Sequence, residues 1–71
     1  MLELRLRSGE IVAFDGRIVE LFAPSGVTER LHIAHVAATR AALARLHFAR
    51  EEAPARARLF AAIEQAQQAD G

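Results

Sequence analysis

Three imidazoles, His32, His35 and His47, are the side chains of this sequence best suited to hold a metal or move a proton. On a helix, His32 and His35 would sit at i and i+3 and could share an ion. On a strand they would point to opposite faces. Leu31 and Ile33 alternate with Arg30, His32 and Ala34, which reads as a strand and splits the pair. No HExxH or similar spacing supplies a third ligand. No metal site is expected, and the histidines read as polar residues on a sheet face or edge.

The carboxylates and hydroxyls point the same way. A catalytic carboxylate needs a cleft that shifts its pKa. The densest acidic pair, Glu51-Glu52, lies where a helix N-terminus favours negative charge, which explains it without catalysis. Ser8 and Ser25 each precede a glycine, which is turn chemistry and not a nucleophile elbow. The four glycines lie in turns or at the end and form no phosphate loop. No catalytic residue, cofactor-binding residue or cofactor is expected, and the chain reads as a non-enzyme.

All nine basic residues are arginine. Clustered arginines would suit bidentate recognition of carboxylate or phosphate, but these are scattered. Nine acidic residues balance them to a net charge of zero. A nucleic-acid binder normally carries a basic stripe and aromatic platforms. Here acids interleave with bases, and four Phe stand without Tyr or Trp. No nucleic-acid partner is expected.

The elements that would position these groups are short. Leu2, Leu4 and Leu6 alternate with Glu3, Arg5 and Arg7, the period of a half-buried strand. Ile11 to Phe14 forms a second, and Arg17 to Phe22 a third. Ser8-Gly9 and Asp15-Gly16 stand between them as two-residue turns, and Asp-Gly is a strong hairpin signal. Pro24-Ser25-Gly26 punctuates the chain before a fourth strand from Thr28 to Ala34.

Residues 35–49 fit two templates. Alanine content and the stripe Val36, Thr39, Leu43, Leu46 favour a helix. Leu46 and Phe48 alternating with Arg45 and His47 favour a fifth strand from Arg45 to Ala49. From about Pro54 to Ala69 the reading is a helix, with Pro54 in its first turn and Leu59, Phe60, Ile63 and Ala66 on one face. The fold class is therefore α+β: a four- to five-stranded antiparallel meander with a C-terminal amphipathic helix. One domain is expected over residues 1–71, with the meander at about 1–34 and the helix at about 54–69.

The segments Val12-Ala13-Phe14-Asp15-Gly16-Arg17 and Gly26 to Val36, then a helix carrying Leu59-Phe60-Ala61-Ala62-Ile63, resemble small bacterial pleckstrin-homology-like domains. Some of these lie beside short C-terminal oligomerisation segments in actinobacteria. The resemblance covers most of the chain in order. It implies a half barrel, binding or oligomerisation without catalysis, and a fifth strand at Arg45–Ala49 with Leu46 and Phe48 facing inward. A full barrel of that family has seven strands, more than this chain has room for. The family's anion-binding loops have no counterpart here, so no ligand residues carry over.

A chain of 71 residues buries only about 60% of its unfolded surface. Domains this small are usually stapled by disulfides, a metal or a partner. Cysteine is absent, which leaves a partner. Two-residue turns at Ser8-Gly9 and Asp15-Gly16 would pair Leu6 with Ile11, Leu4 with Ala13, Phe14 with Arg17 and Val12 with Val19. One face then gathers Leu4, Leu6, Ile11, Ala13, Ile18 and Phe22, and the other Val12, Phe14, Val19 and Leu21. One helix can cover only one face. The other would be an exposed apolar patch of the kind that marks an interface, so Val12, Phe14, Val19 and Leu21 are the candidate interface residues. Alternatively, a β-bulge that shifts one register returns them to the core.

The expected function is a non-catalytic protein-interaction or assembly module, homo-oligomeric or bound to another protein. The alternative is a binder of a small anionic ligand or lipid headgroup. A small metal-dependent enzyme comes last. Charges break every apolar pair at the amino terminus, unlike a signal peptide. No apolar run reaches the roughly 20 residues of a membrane span. A cytoplasmic location is expected.

Overall fold

The computed structural model describes residues 1–70. Four strands, β1 (Leu2–Arg5), β2 (Ile11–Phe14), β3 (Ile18–Phe22) and β4 (Thr28–His32), precede helix α1 (Val36–Ala44). A 3₁₀ turn (Arg50–Glu52) then leads into helix α2 (Ala53–Asp70). The strands form one antiparallel sheet in the order β1-β2-β3-β4. The meander and the C-terminal helix are as the sequence pattern predicts. The sheet is open and does not close into a barrel.

The first hairpin departs from the predicted register by one residue. Leu4 pairs with Val12 and Leu2 with Phe14. Three residues, Arg7, Ser8 and Gly9, make the loop: Gly9 donates to Leu6 O at 2.9 Å, and Leu6 donates to Glu10 O at 2.8 Å. Gly9 has φ +98°, the left-handed geometry of a three-residue hairpin loop with a bulge. Because side chains alternate with period two, a one-residue slip moves a whole strand's apolar set to the other face. Leu2 and Leu4 therefore join Val12 and Phe14.

The second hairpin is shifted by two residues, pairing Phe14 with Val19 and Val12 with Leu21. Gly16 and Arg17 occupy its tip, since Asp15 donates its N–H to Ile18 O at 3.3 Å. Asp15 Oδ1 accepts from the N–H groups of Arg17 and Ile18, each at 2.8 Å. Only Gly16 there has positive φ, at +105°. A two-residue shift preserves the face of each side chain, so Val12, Phe14, Val19 and Leu21 do share one.

That face is the core. Val12 and Val19 are completely buried and pack with Phe14, Leu21, Ile33, Ala42, Leu43, Leu59 and Ile63. The α2 face predicted from Leu59 and Ile63 covers the sheet, and α1 adds Thr39, Ala42 and Leu43.

Residues 35–49 hold no fifth strand. Local propensity wins over 36–44 as α1. Over 45–49 the backbone donors go elsewhere: Arg45 and Leu46 N–H turn back to Ala42 O and Leu43 O, each at 3.1 Å, while His47 N–H goes to Glu10 Oε1 at 2.8 Å and Ala49 N–H to Glu52 Oε1 at 2.9 Å. Leu46 and Phe48 nevertheless pack against the core.

Candidate functional site

The proposed interface residues Val12, Phe14, Val19 and Leu21 are not a surface. Each is buried inside its own chain, Leu21 being the most accessible at 7%. The expectation of an exposed patch on this face is corrected: residues of α1 and α2 pack over it, and the three-residue loop ending at Gly9 brings the β1 leucines to the same face.

The three histidines do not converge. His32 Nδ1 accepts from Ala34 N–H at 3.0 Å. The His35 carbonyl accepts from Thr39 Oγ1 at 2.8 Å. His47 sits beside Glu10, its Nδ1 3.3 Å from Oε2. Among the described residues no three His, Cys, Asp or Glu side chains gather as metal ligands.

The Glu10 carboxylate is the most heavily used acid. Its Oε1 accepts from Ser8 Oγ at 2.9 Å as well as from His47 N–H. Burial raises its pKa, but the hydrogen bonds from His47 and Ser8 outweigh that and leave it lowered. The two His47 contacts join the β1–β2 loop to the segment after α1, and the Ser8 hydroxyl braces the carboxylate from within its own loop. The arrangement locks two loops together.

Between α1 and α2 runs a groove of about 250 Å³ floored by Leu43 and Ile63 and rimmed by Arg40, Arg56 and Glu64. The Arg56 guanidinium lies 4.3 Å from the Phe60 ring centroid, a cation–π distance. Neither Arg40 nor Arg56 makes an ion pair among the described residues.

The sheet has two further surfaces. Its outer face carries Glu20 and Arg30, paired at 3.3 Å, beside half-buried Ile11, Ile18 and Phe22. Its β1 edge has no neighbouring strand among the described residues. There Leu2 and Leu4 border the core yet stay half-exposed, while Glu3 and Arg5 project to the outer face. Period-two alternation alone does not mark this edge as a functional surface. Its signal was the opposite charges at Glu3 and Arg5, two residues apart on one strand face.

No helix of the described residues is long and apolar enough to cross a membrane. No family model, curated protein or solved structure matches the chain.

Proposed function

We propose that this chain is a non-catalytic assembly module that binds a second copy of itself through its open sheet. The observation that carries this is the β1 edge, where the apolar core reaches the surface at half-buried Leu2 and Leu4 and, among the described residues, no strand pairs with it. An open edge presents unpaired N–H and C=O groups, a template for pairing with another chain. The small core and lack of cysteine favour a partner as the missing staple. The order of meander then helix supports the resemblance to bacterial pleckstrin-homology-like domains, and a cytoplasmic location belongs to this reading. Static light scattering across a concentration series tests it: a mass near twice 7.8 kDa supports assembly, and a constant monomer mass refutes it.

A second reading, binding of a small anion, is favoured by one observation. Arg40 and Arg56 rim the inter-helix groove without an acidic ion-pair partner among the described residues. Titration calorimetry with inorganic phosphate and short-chain carboxylates tests it. Anionic vesicles at varied salt test the lipid form.

A further inference from the structure

We propose that two copies join edge to edge through β1, antiparallel, with Leu4 on the two-fold axis, to make one continuous sheet. This rests on the assembly reading above and adds its surface and register.

The backbone fixes which residues can pair. Leu6 donates to Glu10 O at 2.8 Å and so faces β2. Hydrogen-bonding direction alternates along an antiparallel strand. Leu2 and Leu4 therefore also face β2, and the N–H and C=O groups of Glu3 and Arg5 point out of the edge. No backbone partner for those outward groups exists among the described residues.

Charge then selects the register. A two-fold axis at Glu3 sets Glu3 against Glu3, and an axis at Arg5 sets Arg5 against Arg5. An axis at Leu4 sets Glu3 against the second copy's Arg5, twice. Opposite charges across strands stabilise, and like charges directly opposite destabilise. Within one chain, Glu3 and Arg5 meet only at 3.4 Å and stay 48% and 78% exposed, so both are available. In the Leu4 register the two Leu4 side chains meet, and each Leu2 lies opposite the second copy's Leu6. These side chains lie on the core face, so the two cores become continuous. The contact is isologous and closes at two copies.

The other edge lacks this complementarity. Ile33 donates to Arg17 O at 2.9 Å, which turns the groups of Thr28, Arg30 and His32 outward. No acid stands among those three, so no register of β4 with itself sets opposite charges together.

The absence of cysteine makes the test clean. Residues in a non-hydrogen-bonded antiparallel pair have Cα atoms about 4.5 Å apart, within the roughly 4.4–6.8 Å a disulfide spans. Leu4→Cys is expected to cross-link on mild oxidation. Leu2→Cys is expected not to, since its counterparts would lie roughly 13 Å apart. Glu3→Arg is expected to raise the dimer dissociation constant about tenfold or more, and Glu3→Arg with Arg5→Glu to restore it. Circular dichroism checks that each variant folds. A Leu4→Cys that stays unlinked, equal linking of Leu2→Cys, or a Glu3→Arg mass like wild type overturns the inference and leaves a dimer by another surface. A monomeric wild type overturns the assembly reading with it.

Discussion

Arg7 donates its backbone N–H to Glu52 Oε2 at 3.0 Å, across 45 positions of chain. The other oxygen of that carboxylate accepts from Ala49 N–H at 2.9 Å. One side chain thus holds the first hairpin loop against the start of α2. Ion pairing adds little: Arg7 and Glu51 meet at 3.1 Å, but both are about two-thirds exposed. Glu52→Ala is expected to lose both hydrogen bonds and cost about 1–2 kcal/mol, read as a lower urea midpoint. Glu51→Ala is expected to change the midpoint little.

Gly9 and Gly16 both have positive φ, yet their variants should differ. A Cβ at Gly16 meets nothing within 4 Å, whereas one at Gly9 would lie 2.9 Å from Pro24 Cγ. Gly16→Ala is expected to cost only backbone strain, about 1–3 kcal/mol. Gly9→Ala adds a collision with a rigid ring and should cost more. Equal melting temperatures for the two would refute the distinction.

Leu59 is fully buried and Ile63 nearly so. Either one changed to Ala is expected to cost about 2–5 kcal/mol, a large part of the stability of so small a domain. Val19, also fully buried, makes a sharper contrast. Val19→Asp buries an unpaired charge and is expected to unfold the chain, not to split a folded dimer. Circular dichroism separates these outcomes.

Acid should loosen both hairpin loops. The N–H groups of Ile18 and Arg17 hold the Asp15 carboxyl below its usual value of 3.8. Glu10, usually 4.5, is lowered despite burial. For a carboxyl whose folded pKa is depressed, the stabilisation is present above the unfolded pKa and is lost as pH falls through the folded one. Stability should therefore decline below those ordinary values. The double variant Asp15→Asn with Glu10→Gln is expected to flatten that decline in urea titrations at descending pH.

Much of the fold was legible in the sequence because its signals are local. Period-two alternation placed the strands, and Leu59 with Ile63 marked the buried face of α2. The candidate interface was not legible, because it depended on loop length. Ser8-Gly9 reads equally as a two-residue turn or as part of a three-residue one, and that single residue decides whether Leu4 sits with Ala13 or with Val12. Likewise Leu46 and Phe48 carry the alternation of a strand. What denies them one is the capture of His47 and Ala49 N–H groups by Glu10 and Glu52, distant or charged partners that periodicity cannot register.

Self-association is read from the solution mass of the unmodified chain. Light scattering at rising concentration is expected to approach twice the 7.8 kDa chain mass. A mass that stays at one chain at every concentration would contradict it.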